Sequence, residues 1–85
     1  MKEFRYKVTD PEGLHARPAG TLVKQASSYT CVVEVKCGEK QADAKRIFGI
    51  MSLGVKNGQE VTIGIDGEDE DRAYDELLKF FEENL

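Results

Sequence analysis

Apolar and polar positions alternate from the start of the chain. Phe4, Tyr6 and Val8 are separated by Arg5 and Lys7, the period of a half-buried strand. Thr9-Asp10-Pro11-Glu12-Gly13 breaks that pattern as a turn cluster. Ala16, Ala19, Leu22, Val23 and Ala26 then recur at three- and four-residue spacing, which predicts a helix ending near Ser27-Ser28. Val33 and Val35 alternate with Glu34 and Lys36 in a second strand. Cys37-Gly38-Glu39-Lys40 reads as a hairpin turn, and Gln41-Ala42-Asp43-Ala44 as a short polar third strand. Ile47, Phe48, Ile50, Met51 and Leu53 form an apolar cluster that Gly49 and Gly54 restrict to a short helix. Val61, Ile63 and Ile65 predict a fourth strand. A final helix follows Asp66-Gly67-Glu68-Asp69, with Asp69 as its expected N-cap and Glu70 and Asp71 facing the positive end of the dipole. Ala73, Leu77, Phe80 and Phe81 supply its buried face.

The order β-α-β-β-α-β-α predicts an α+β fold, most simply a sheet with helices on one face. A ferredoxin-like arrangement shares the βαββαβ part of that order and competes with it. Eighty-five residues make a single domain, residues 1–85. A composition 40% hydrophobic and 33% charged excludes disorder. No apolar run approaches the ~20 residues needed to cross a membrane. Met1-Lys2-Glu3-Phe4-Arg5 lacks the apolar core of a signal peptide, so a cytoplasmic location without membrane insertion is expected. A chain this short has little room for both a deep substrate pocket and catalytic machinery. A carrier, binding module or regulator is expected rather than a turnover enzyme.

The net charge of −4 is unevenly spread. Residues 66–85 carry nine acidic against two basic side chains, or −7, and residues 1–65 ten basic against seven acidic, or +3. The acidic balance argues against general nucleic-acid binding, while the basic first part suits an acidic partner protein. If Cys31 and Cys37 lie on one strand, about 20 Å separates them, too far for a disulfide within it. Together with one histidine they offer no metal-ligand spacing, and no cofactor is expected.

That histidine, His15, stands in Gly13-Leu14-His15-Ala16-Arg17-Pro18, directly before the helical periodicity. The first N–H groups of a helix lack internal partners and point outward with the positive end of the dipole, ready for an anion. Pro18 falls in the first turn, where its missing N–H costs little, and the donors of Ala16 and Arg17 stay free. The same field favours the neutral, nucleophilic imidazole over its cation. A phosphoryl group on it would meet two backbone donors and the fork of Arg17. These residues alone leave phosphoryl transfer and reversible anion binding both open.

The segment Gly13-Leu14-His15-Ala16-Arg17-Pro18-Ala19 closely resembles the active-site motif of HPr, the histidine-containing phosphocarrier family of the bacterial phosphoenolpyruvate-dependent sugar phosphotransferase system. Ala44-Lys45-Arg46-Ile47-Phe48-Gly49-Ile50-Met51-Ser52-Leu53-Gly54 is similar to its second signature, and the resemblance runs through essentially the whole chain. It implies an open-faced β-sandwich, four antiparallel strands covered on one face by three helices. It implies that His15 accepts a phosphoryl group at Nδ1 from phosphorylated Enzyme I and passes it to sugar-specific IIA proteins. Arg17 would steady that group, with Ala16 and Arg17 as backbone donors. Gly20, Lys24, Lys45, Arg46, Ile47, Phe48 and Met51 would form the docking surface of a monomeric carrier. From the pattern alone, Ile47 and Ile50 are core candidates, whereas Phe48 and Met51, three residues apart, share an exposed side.

The sequence departs from many relatives at Arg46, where low-GC Gram-positive members carry a serine that a kinase modifies. Arginine has no hydroxyl, so that regulation does not transfer; a fixed positive charge is expected to strengthen docking to acidic partners. Arg46 is also a poor N-cap for the short helix. A paralogue serving a nitrogen or fructose branch, and a ferredoxin-like small-ligand module, are the alternative readings.

Overall fold

The computed structural model describes residues 1–85. Seven elements follow in the expected order: β1 (Lys2–Lys7), α1 (Ala16–Ala26), β2 (Val32–Cys37), β3 (Lys40–Asp43), α2 (Ile47–Ser52), β4 (Glu60–Asp66) and α3 (Glu70–Asn84). The strands form one sheet in the order β1-β4-β2-β3, every neighbouring pair antiparallel. A ferredoxin-like sheet would carry β1 in its interior; here β1 is an edge strand and β4 lies between β1 and β2.

Register follows from the alternation. Ile63 pairs with Phe4 on one side and Val35 on the other, and Ile65 faces Val33. All five are buried, whereas Arg5, Lys7 and Lys36 on the opposite face stay in water. A one-residue slip would exchange the two sets, so burial of one face specifies the pairing. The polar third strand forms as Lys40–Asp43, against β2. Beyond it the Ala44 N–H still donates to the Val33 carbonyl at 2.9 Å, so the ladder carries buried Ala44 to the edge of α2.

Helix α3 buries Ala73, Leu77, Phe80 and Phe81 as the periodicity requires. Phe81 is completely buried and meets Phe4, Tyr6 and Phe80 edge-on, with ring centroids 5.6–5.8 Å apart. Such pairs each add about 0.5–1.5 kcal/mol beyond area burial. Helix α1 buries Pro18, Ala19, Leu22 and Ala26 and packs against both α2 and α3.

The expected side-chain cap at Asp69 does not form. Its two carboxylate oxygens instead accept the N–H groups of Thr30 and Cys31, both at 2.9 Å, and so join the start of α3 to the approach to β2. These main-chain donors hold the Asp69 carboxyl far below the ordinary carboxylate range. Gly67 permits the crossing: its φ is +150°, and a Cβ there would stand 2.6 Å from Cys31 Cα. Cys31 is buried and Cys37 half-buried, both as free thiols. Burial, with Asp69 beside it, pushes the Cys31 thiol up to about 11, so it stays protonated at neutral pH.

Candidate functional site: the turn before α1

The turn Thr9–Leu14 is anchored from three directions. The N–H groups of Thr9 and Asp10 donate to the Leu85 main-chain oxygen at 2.6 and 2.9 Å, joined by the Thr9 hydroxyl at 3.1 Å. Asn57 Nδ2 donates to the Thr9 and Asp10 carbonyls at 2.9 and 3.3 Å. The Leu14 N–H donates to the Val55 carbonyl at 3.0 Å, while the Leu14 side chain joins the core. Within the turn, the Gly13 N–H reaches the Asp10 carbonyl at 2.9 Å and the Glu12 N–H reaches Asp10 Oδ1 at 2.8 Å. Gly13 adopts φ +68°, and a Cβ on it would lie 2.3 Å from the Val55 carbonyl oxygen. Glycine is therefore required both for the bend and for the close approach.

This anchoring delivers His15 to the N-cap of α1, in extended conformation (φ −85°, ψ −175°), without a side-chain capping bond. Its carbonyl takes the Ala19 N–H at 3.0 Å. The N–H groups of Ala16 and Arg17 have no main-chain acceptor and both residues are exposed. The half-exposed imidazole opens on a shallow cleft of about 280 Å³ shared with Asp10, Arg17, Pro18, Thr21 and Asn84. The half-exposed ring and Arg17 thus border one open space, with the free N–H groups of Ala16 and Arg17 at the same helix end. Free donors at a helix start beside an open cleft suit an anion that stays in contact with water.

Two carboxylates, read from the sequence only as parts of a turn, oppose the positive field of the helix start. Glu12 Oε2 lies 3.5 Å from His15 Nδ1, and Asp10 Oδ1 3.8 Å from Nε2. Asn57 and Leu85, which hold the turn in place, had no local signal at all. Asn57 contributes its side-chain amide and Leu85 its main-chain oxygen, across 47 to 76 residues of sequence.

The remaining candidate residues spread along α1 and α2. Phe48 is 85% exposed and Met51 44%, Ile50 is in the core, and Ile47 packs half-buried against it. Gly20 faces open space, where a Cβ would meet nothing within 4 Å, and Lys24 is exposed in the last turn of α1. Lys45 is half-buried and donates to the Tyr29 carbonyl at 2.9 Å, beyond the C-terminal end of α1. Since Leu14 meets Val55, α2 runs antiparallel to α1. Lys45 and Arg46 therefore lie at the opposite end of α1 from His15, about 16 Å along an 11-residue helix. Arg46 occupies the N-cap of α2 without a side-chain cap, 3.8 Å from Asp43.

The model of the family described as the PTS HPr component phosphorylation site matches residues 2–83. The chain belongs to the HPr family. The phosphocarrier protein HPr of Lysinibacillus sphaericus is 42% identical over 83 residues, 98% of this chain and 94% of that protein. The crystal structure of HPr-C-His from Thermoanaerobacter tengcongensis superposes with a TM-score of 0.91 at 40% identity, covering 96% of this chain and 92% of the other. The histidine-containing phosphocarrier protein of a Mycoplasma also reaches 0.91, at 38% identity over 93% and 90% of the two chains. The four-stranded antiparallel sheet with three helices is the HPr architecture, and HPr proteins are phosphocarriers of the phosphotransferase system. No helix of this HPr is long and apolar enough to cross a membrane.

Proposed function

We propose that this HPr accepts a phosphoryl group on His15 Nδ1 from phosphorylated Enzyme I and passes it to the IIA proteins of sugar permeases. The observation that carries the reading is the placement of His15 at the N-cap of α1, beside the two unpartnered N–H groups of Ala16 and Arg17. As the Nδ1–P bond forms, the N–P bond to the donor histidine breaks. The second step reverses that exchange toward the acceptor. One N–P bond replaces another, so the protein needs to supply only positioning and charge stabilisation. The main-chain donors and the Arg17 guanidinium provide these for the phosphoryl oxygens.

Partner binding falls to the open side of α1 and α2. Exposed Phe48 and Met51 offer an apolar contact, and methionine adapts to partners of differing shape. Gly20 leaves room for close approach, half-buried Ile47 supports the patch from beneath, and Arg17, Lys24, Lys45 and Arg46 supply positive charge for acidic partners. Arg46 has no hydroxyl, so serine phosphorylation at that position does not regulate this protein. The nucleophile and its donors come from one chain, so a single copy acts as the carrier, in the cytoplasm. It is a covalent intermediary rather than a turnover catalyst.

The test is intact mass after incubation with phosphoenolpyruvate and catalytic Enzyme I. The expected result is a gain of one phosphoryl group, lost in acid and absent from His15→Ala. No gain with folded protein and active Enzyme I would overturn the reading.

A further inference from the structure

If His15 carries phosphoryl groups as proposed above, the turn before it holds more than the nucleophile. Its ring faces one carboxylate on each nitrogen: Glu12 Oε2 at 3.5 Å from Nδ1 and Asp10 Oδ1 at 3.8 Å from Nε2. A phosphoryl group bonded to Nδ1 takes up the space between that nitrogen and the Glu12 carboxylate, so Glu12 has to withdraw. It is able to, being 73% exposed and held only through its main chain. Three residues of chain nonetheless keep its charge close to a group that itself carries about −1.5 to −2. Like charges at such separations repel even through partial screening by water.

Asp10 is placed differently. Its side chain is 25% exposed, its main chain is held by Leu85 and Asn57, and its Oδ1 accepts the Glu12 N–H. It faces the nitrogen that does not carry the phosphoryl group. There a negative charge supports a proton on Nε2 of the phosphorylated ring. The other charged group on this cleft is Arg17 from α1; from the end of α3 the Leu85 main-chain oxygen points at Thr9 and Asp10 N–H groups.

We propose that Glu12 is an electrostatic gate on Nδ1, with Asp10 its counterweight on Nε2, so that the turn sets how readily this carrier surrenders its phosphoryl group. Glu12 disfavours the phosphorylated state and Asp10 supports it. Both act through His15, so they tune the equilibrium without changing which bonds form or break: Nδ1–P on one side, the donor N–P on the other.

The experiment equilibrates the wild type, Glu12→Gln and Asp10→Asn with catalytic Enzyme I, phosphoenolpyruvate and excess pyruvate. Intact mass reads the ratio of phosphorylated to free protein, and thermal melting verifies that each near-isosteric variant is folded. An equilibrium ratio is independent of docking rates, so a mere docking role would not move it. The expected result is a several-fold higher ratio for Glu12→Gln, shrinking toward wild type at about 1 M salt, and a lower ratio for Asp10→Asn. An unchanged or lower ratio for Glu12→Gln overturns the gate. An equal rise in both variants overturns the opposed roles and reduces the effect to net charge. If the wild type gains no phosphoryl group, the carrier reading fails and the gate fails with it. Phosphorylation of all three to the same ratio sinks the gate alone.

Discussion

Gly13 controls where His15 stands. Its positive φ and the 2.3 Å between an added Cβ and the Val55 carbonyl oxygen leave no room for any side chain. Gly13→Ala must either adopt a left-handed conformation against a backbone clash or push the turn away from Val55. Strain of this kind costs on the order of 1–3 kcal/mol. Pushing the turn away also breaks the Leu14–Val55 hydrogen bond that sets the start of α1. The expected outcome is a lower melting temperature and a phosphoryl-acceptance rate from Enzyme I that falls even at temperatures where the variant is fully folded. Calorimetry and single-turnover transfer check the two effects separately, and unchanged kinetics in the folded variant would show that the turn tolerates displacement.

Between elements, Asp69 does what neither α3 nor β2 does alone. Its carboxylate accepts two main-chain N–H groups that precede β2, from the residue at which α3 begins. Those bonds hold its folded-state pKa below the unfolded one. The clasp therefore contributes fully at neutral pH. It is lost as the pH falls below about 4, where the unfolded chain takes up its proton first. Asp69→Asn keeps one acceptor but turns an NH2 donor toward the second N–H. It is expected to lower the urea midpoint at pH 6 and to flatten the decline between pH 5 and pH 2. Urea titrations of both proteins across that range provide the comparison, and parallel declines would argue against the clasp. Tyr29 links α1 and α3 in a similar way, its hydroxyl donating to Glu76 at 2.7 Å while Gln25 donates to it at 3.1 Å. Burial pushes that phenol up to about 12, so the link keeps its proton throughout the neutral range.

For the whole molecule, two phenylalanines of equal size have opposite duties. Phe81 is fully buried among Phe4, Tyr6 and Phe80, and Phe48 is 85% exposed. Phe81→Ala is expected to cost about 3–5 kcal/mol, a large share of the ~5–15 kcal/mol that holds a domain together. At about 4–8 °C per kcal/mol, its melting temperature falls by more than ~10 °C. Phe48→Ala is expected to leave stability within about 0.5 kcal/mol and to weaken transfer between Enzyme I and this HPr. Thermal melts and steady-state transfer assays check the pair. The buried ring holds α3 on the sheet, while the exposed one leaves an apolar surface open, as the proposed docking to successive partners requires.

Much of this was legible in the chain itself. Period-two alternation at Phe4-Tyr6-Val8 and Val61-Ile63-Ile65, and the three-four spacing of α1 and α3, specified each element and its buried face, because burial of one face is a local property of the pattern. The His15-Ala16-Arg17-Pro18 string likewise announced a helix start with free donors. Three features depended on the tertiary structure. The order β1-β4-β2-β3 required strands far apart in sequence to choose among partners of similar apolarity. Asp69 had a sound local role as a cap, but the main-chain N–H groups of residues 30 and 31 took both of its oxygens. Asp10 and Glu12 looked like turn formers until the turn, held by Asn57 and Leu85, folded their carboxylates onto the two nitrogens of His15. Local spacing determines which face a residue takes; what that face meets is decided by contacts whose closure only the folded chain can make.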